Sequence, residues 1–244
     1  MINLNYFENG GKCCIFNEDC ITEMKKLTQE GYKVDCIITD PPYEISRENN
    51  FSTMENRTGI DFGEWDKDVD HTSWLSYVYD ITTDNASIII FQDWKKLGII
   101  ANELEKVGFE VKDMLRWEKV NPMPRNRDRR YIVDFECAIW AVKKNSKWTF
   151  NRQDDKFQRP KFIYPIVSGK EKTIHPTQKP ISLMEDLIKI HTNENDIILD
   201  IFMGSGSTGV AALNLNRKFI GIELDKKYYD IAFDRISDCM KGGK

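Results

Sequence analysis

The sequence predicts an α/β domain with a mostly parallel sheet of seven strands and one antiparallel hairpin. Three observations lead there: short apolar runs alternate with amphipathic stretches, most runs lead into a stretch of helical period, and one pair of runs lies close enough in sequence to form a hairpin. The 244 residues, 41% of them hydrophobic, suffice for one domain with a substantial core and are too few for two large ones.

In chain order, the run at 13–16 is read as the first strand and the stretch 20–29 as the helix after it. A second strand, 34–39, ends at Asp40-Pro41-Pro42-Tyr43. Residues 44–70 are polar and show neither period; loops this long in compact domains are commonly functional or disordered, and this one is expected to be mobile. Helix 72–82, strand 86–91 and helix 94–107 come next, and strands 111–117 and 135–142 form the hairpin around a basic loop at 119–130. Residues 143–173 are irregular, basic and dotted with aromatics (Trp148, Phe150, Phe157, Phe162, Tyr164), a composition suited to nucleic acid through charge and stacking. A small extra layer over the sheet edge is the plainer alternative. Helix 182–191, strand 197–201, helix 208–215, strand 219–222 and helix 226–240 complete the chain, and no internal repeat appears.

Composition narrows the function classes. The longest apolar runs, at 86–91 and 197–203, fall far short of the roughly 20 residues of a transmembrane helix. Residues 1–12 lack the basic-then-apolar layout of a signal peptide, so a cytoplasmic location is expected. The six cysteines form no C-x-x-C pair and the histidines (His71, His175, His191) are isolated, which indicates neither a disulfide framework nor a metal site. The net charge of −4 argues against a polyanionic partner until its distribution is examined. Residues 116–179 carry 16 Lys and Arg against 7 Asp and Glu, leaving 19 against 32 for the rest. This asymmetry fits a polyanion-facing surface on an acidic body, and equally a solvated basic face.

Two motifs carry chemistry. In Asp40-Pro41-Pro42-Tyr43 the prolines hold the backbone extended and remove two N–H donors. An Asp carboxylate beside a proline carbonyl then offers two acceptors, and Tyr43 a flat face for a planar ring. Together they suit a planar group bearing an NH2; an ordinary turn is the bland reading. The second motif follows strand 197–201, which carries Asp200 and runs into Phe202-Met203-Gly204-Ser205-Gly206-Ser207-Thr208-Gly209 and a helix. Glycines admit a tight turn and close approach of a ligand, and the helix start offers free N–H groups. Glu223, ending the next strand 19 residues past Gly204, sits where an acid grips the hydroxyls of a ribose. A nucleoside-containing ligand follows, and on this motif alone a nicotinamide dinucleotide remains open.

The combination resolves it. Asp40-Pro-Pro-Tyr43, the glycine motif from Asp200 to Gly206, and His175-Pro-Thr-Gln-Lys-Pro180 just before it strongly resemble the amino-group DNA methyltransferases, over roughly 13–234. The motif order resembles the beta group of that family, of adenine-N6 type. The resemblance implies a single catalytic domain over 1–244 with a Rossmann-like, circularly permuted S-adenosylmethionine-dependent fold. It also implies a small variable DNA-recognition insertion at about 143–174.

By the same resemblance, Asp40, Pro41, Pro42 and Tyr43 are catalytic, and Asp40, Asp200, Phe202, Gly204, Ser205, Gly206, Ser207 and Thr208 line the cofactor, with Glu223 on its ribose. His175, Thr177 and Lys179 belong to the segment that closes over the cofactor carboxylate, and Asp19-Cys20 to the border of its adenine. Phe62-Gly-Glu-Trp-Asp66 resembles a family segment of unassigned role. Arg125, Arg127, Arg129, Arg130 and Lys161 are the expected DNA contacts. Where many members have Asp-Pro-Phe and Gly-Thr-Thr, this chain has Asp200-Ile201-Phe202 and Gly206-Ser207-Thr208, which keep shape and donors approximately.

The implied reaction is methyl transfer from S-adenosylmethionine to N6 of a flipped adenine by direct displacement, without a cysteine nucleophile. The implied partners are DNA, a second copy of the chain, and a restriction endonuclease acting on the same site, with no membrane. N4-cytosine methylation is the nearest alternative, since both amines need the same acceptors. RNA and protein-glutamine methyltransferases, a non-catalytic DNA-binding relative and a dehydrogenase lie further off.

Overall fold

Apolar side chains alternate between two destinations along the central strands, and this two-residue period builds the domain. The computed structural model describes residues 11–43, 72–124 and 126–242. Within them, β1 (Cys13–Asn17), β2 (Val34–Thr39), β3 (Thr82–Gln92), β4 (Phe109–Lys119), β5 (Phe135–Lys143), β6 (Lys161–Tyr164), β7 (Ile197–Asp200) and β8 (Lys218–Glu223) form one sheet in the order β1-β8-β7-β2-β3-β5-β4-β6. Helices α1 (Cys20–Gln29), α2 (Leu75–Ile81) and α3 (Leu97–Lys106) contribute to the core on one face, and α4 (Ile181–His191), α5 (Ser207–Asn214) and α6 (Lys226–Gly242) on the other.

Ile37, Ile88, Ile90 and Leu199 pack with Met24, Leu27, Val78 and Leu104 of α1 to α3. Their chain neighbours Ile38, Ile89 and Ile198 pack with Leu183, Leu187, Ala211 and Ile236 of α4 to α6. Because both faces are covered, the central strands read as nearly unbroken apolar runs, and each fully buried aliphatic side chain contributes about 1.5–3 kcal/mol. No helix among the described residues is long and apolar enough to cross a membrane.

The expected hairpin is present, with β4 and β5 antiparallel from Phe109↔Lys143 to Glu118↔Phe135. β5 also runs antiparallel to β3, while the other pairs are parallel. The expected count of seven strands is corrected to eight. The additional strand, β6, lies in the segment read as irregular and pairs in parallel with β4 at the sheet edge. Only four residues long, with Phe162 buried between exposed Lys161 and Ile163, it has too little alternation to stand out in a basic stretch. Helix 72–82 shortens to α2 and β3 starts earlier than expected. The Thr82 hydroxyl donates back to the Val78 and Tyr79 carbonyls at 2.9 and 3.0 Å, closing the helix as the chain turns extended.

The chain leaves β7 for β8 on one side and β2 for β3 on the other, although β7 and β2 are neighbours. A crevice is created where connections diverge in this way, outside the carboxyl ends of the two strands. Asp200 and Asp40 stand at those ends.

Candidate active site

The crevice holds a cavity of about 570 Å³, within the range of small-molecule sites. β2 delivers Asp40, Pro41, Pro42 and Tyr43 to its wall, and the β7–α5 turn delivers Asp200, Phe202, Gly204, Ser205, Ser207 and Thr208. Glu223 comes from β8, Asp19 and Cys20 from the start of α1, and His175, Thr177 and Lys179 from the segment before α4.

Asp200 organises the turn. Its Oδ1 accepts from the Thr39 hydroxyl at 2.8 Å and from the Phe202 N–H at 3.2 Å, and its Oδ2 from the Thr208 hydroxyl at 2.7 Å. Burial pushes its carboxyl up to about 6. Gly204 has φ +51°, and a Cβ there would lie 2.8 Å from His175 Nε2, so both the conformation and the close approach favour glycine. Gly206, φ +78°, does not line the cavity; it lets α5 approach Ala232 of α6, where a Cβ would come within 3.0 Å. Its small size thus serves the packing of α5 on α6. Arg235 braces the same turn, donating to the Ser205 carbonyl and hydroxyl.

Glu223 faces the glycine turn. Its Oε2 accepts from the Gly204 N–H at 2.9 Å and its Oε1 from the Asp225 N–H at 2.8 Å, and each oxygen keeps a second lone pair. Burial pushes this carboxyl up to about 7. Asp19 caps α1, its Oδ1 accepting from Thr22 N at 2.8 Å. Burial pushes the Cys13 and Cys20 thiols up to about 12 and Cys14 to about 11, so none is a ready thiolate nucleophile at neutral pH.

At the other end, Asp40 is held from both sides. The Tyr43 hydroxyl donates to its Oδ1, and the Lys179 ammonium pairs with its Oδ2. Lys179 also reaches Glu136 Oε2 at 3.1 Å, and Lys119 pairs with Glu136 Oε1 at 2.7 Å. Lys96 Nζ donates to the Tyr43 carbonyl at 3.2 Å, fixing the end of the tetrapeptide. Burial pushes the Asp40 carboxyl above its usual range, and the Lys179 charge is the largest force opposing that rise.

Three features escaped the sequence reading. Glu136 gives no motif signal, and its place beside Lys179 depends on the β5 register. Trp74 lines the cavity, edge-on to Phe202 at 5.6 Å; its buried Nε1 has no hydrogen-bond partner among the described residues. Tyr228 of α6 stacks edge-on against His175 at 4.4 Å.

Of the expected DNA contacts, Arg127, Arg129 and Arg130 are exposed on the loop after β4, which rises from the same sheet end as the crevice. Lys161 is exposed at the start of β6, paired with Glu118 at 2.8 Å. Arg125, His71, the segment 62–66 and the expected mobile loop 44–70 lie outside the described residues.

Comparison with known proteins converges on one family. A sequence profile described as DNA methylase matches residues 34–234. The type II methyltransferase M2.MboI of Moraxella bovis is 32% identical over 246 residues, covering 93% of this chain and 89% of its own length. M.HinfI of Haemophilus influenzae is 31% identical over 259 residues, covering 97% of this chain and 70% of its own. The crystal structure of an M1.HpyAVI-SAM complex is similar at a TM-score of 0.76 and 43% identity, over 92% of this chain and 98% of that one. The cytosine-N4-specific PvuII DNA methyltransferase, at 16% identity and a TM-score of 0.68, shares the fold over 95% of this chain and 92% of that one. Matched over most of its length in both sequence and structure, this chain belongs to the DNA methylase family.

Proposed function

We propose that this chain transfers a methyl group from S-adenosylmethionine to the exocyclic N6 of adenine in DNA. The observation that carries the reading is the placement of Asp40-Pro41-Pro42-Tyr43 and the glycine turn with Glu223 around one cavity. The cavity fits a nucleoside cofactor by its donor set: Glu223 keeps lone pairs for two ribose hydroxyls, and the buried Trp74 Nε1 remains free to donate. The crystal structure of the similar M1.HpyAVI holds SAM, which supports the same choice here. When bound, the cofactor supplies an electrophilic methyl group on sulfonium sulfur.

The chain's own residues do the rest. The target adenine leaves the duplex stack at a cost of a few kcal/mol, partly offset by stacking on Tyr43. The Tyr43 hydroxyl gives up Asp40 Oδ1, and the amine donates one hydrogen to that carboxylate and the other to the Pro41 carbonyl. With both hydrogens held, the nitrogen lone pair is drawn out of ring conjugation and toward the methyl group. The N–C bond forms as the S–C bond breaks, and the product nitrogen gives its extra proton to Asp40. Most of the rate comes from positioning and electrostatics. The exposed arginines on the loop after β4 hold phosphates beside the crevice.

Asp rather than Ser at position 40 resembles the adenine enzymes and favours N6 over cytosine N4. The test is incubation of unmethylated genomic DNA with labelled S-adenosylmethionine, digestion to nucleosides and mass analysis. N6-methyladenine is expected; N4-methylcytosine as the product would overturn the choice of base and keep the acceptor geometry. A homodimer and a nuclease acting on the same site remain the partners this reading implies.

A further inference from the structure

Lys179 lies in the segment that resembles the cofactor-carboxylate lid, and its ammonium pairs with two carboxylates of the chain itself. It is about 5% exposed and sits between Asp40 and Glu136, with Glu136 in turn bound by Lys119. The four groups alternate in sign, and a buried ion pair is tolerated only when its charges are matched in this way. The segment is tied to itself and to α4 by side-chain hydrogen bonds. Gln178 Oε1 accepts from Thr173 N and its hydroxyl, both at 2.9 Å, Gln178 Nε2 donates to the Glu171 carbonyl at 2.9 Å, and Glu171 Oε1 accepts from Ile181 N at 2.9 Å at the start of α4.

We propose that Lys179 is a positioning residue for methyl transfer: clamped between Asp40 and Glu136, it occupies Asp40 Oδ2, keeps that carboxylate ionised and leaves Oδ1 to the target amine. This rests on the reading of Asp40 as the amine acceptor. Glu136 is the counterweight that holds the ammonium in the interior, and Lys119 prevents Glu136 from drawing it away. Burial alone would raise Glu136 and lower Lys179, and the surrounding opposite charges reverse both tendencies. Among the described residues, the other charged or titratable groups facing this cluster are Tyr43 on the same turn, Asp200 on β7, Asp93 after β3, Lys96 before α3, and His175 on the Lys179 segment. None of them can replace a cation on Asp40 Oδ2. Asp200, Asp93 and Tyr43 are acidic, buried His175 is neutral, and Lys96 bonds the Tyr43 carbonyl.

The test measures single-turnover methyl transfer at saturating cofactor and DNA from pH 5.5 to 9.5, with cofactor affinity by calorimetry. Without the ammonium, Asp40 faces Glu136 and takes up a proton more readily. Lys179→Met is expected to move the acid limb of the rate profile up by about one pH unit or more, with about tenfold loss at the foot of the limb that recovers in alkali. Its cofactor affinity should stay within about threefold of wild type, a change under 1 kcal/mol. Lys179→Arg restores the limb toward wild type. Glu136→Gln, by leaving the ammonium to Asp40, moves it down, and this opposite shift decides the matter if Lys179→Met does not fold. An unmoved limb in both variants overturns the inference, as does a cofactor affinity more than about tenfold weaker in Lys179→Met with an unmoved limb, which would assign Lys179 to the cofactor. Asp40→Ala, run alongside, separates the two levels: transfer at the wild-type rate in that variant refutes the acceptor reading itself.

Discussion

The Thr39 hydroxyl donates to Asp200 Oδ1 at 2.8 Å, joining the end of β2 to the end of β7 across the point where the sheet's connections diverge. The last residue before the acceptor tetrapeptide and the carboxylate that shapes the glycine turn are therefore one unit. Thr39→Val keeps the volume and removes the donor, leaving Oδ1 with the Phe202 N–H at 3.2 Å. A loss of about 1–3 kcal/mol in stability is expected by denaturant unfolding, together with weaker cofactor binding. Wild-type values for both would show that the two ends are positioned independently.

Glu223 makes cofactor binding depend on pH. Its carboxyl, raised to about 7 by burial, is largely protonated below that pH in the free protein, whereas ribose hydroxyls are best accepted by the carboxylate. Binding should release a proton near neutrality, and affinity should fall about tenfold per unit well below pH 7. Calorimetry in buffers of different ionisation enthalpy measures the release. Glu223→Gln should bind weakly and with a flat pH dependence; a steep dependence in that variant would place the titrating group elsewhere.

Gly204 and His175 should be coupled. Gly204→Ala places a Cβ 2.8 Å from His175 Nε2 at a φ of +51°, so both contact and conformation oppose it. An expected cost of about 1–3 kcal/mol should shrink when His175→Ala is added, leaving the backbone strain. Strict additivity in this double-mutant cycle would rule out the contact.

His191, packed between Trp140 and Phe150 at 4.6 and 5.8 Å, is a source of acid sensitivity. Burial pushes its imidazole down to about 3. Between pH 6.5 and 3 the unfolded chain binds the proton and the folded one does not, so stability falls as pH falls through that window. Relative to wild type, His191→Phe should gain about 2 kcal/mol between pH 7 and 5, read from unfolding curves at each pH. A pH-independent difference would contradict the assignment. His175, lowered to about 4 by burial, acts in the same direction.

On the loop after β4, Arg129→Ala and Arg130→Ala should weaken DNA binding and each reduce the slope of log affinity against log salt by about one. Cofactor affinity should not change. A salt series superimposable on wild type would remove the loop from the interface.

Much of this architecture was legible because period and motif are local properties. Ile37, Ile38, Ile88 and Ile89 mark buried parallel strands by their run, and Asp40-Pro-Pro-Tyr43 and Gly204-Ser-Gly206 mark the strand ends where ligands sit. β6 was not legible, since four residues at an edge carry little alternation. The partner of Lys179 was not legible either: Asp40 lies 139 residues away, and only the sheet order brings β2, β5 and the segment before α4 together. Gly206 illustrates a third limit. Its conformation follows from the motif, but its packing against Ala232 depends on how closely α6 approaches, which no local pattern encodes.

The central claim is that Asp40 accepts the target amine in a site whose cofactor pocket is built separately by the glycine turn and Glu223. Its most direct test is methyl transfer from labelled S-adenosylmethionine to DNA by Asp40→Ala, with cofactor affinity measured on the same preparation. The account predicts transfer reduced by at least about a thousandfold with cofactor affinity within about tenfold of wild type. Transfer at the wild-type rate by a variant that binds cofactor normally would contradict it.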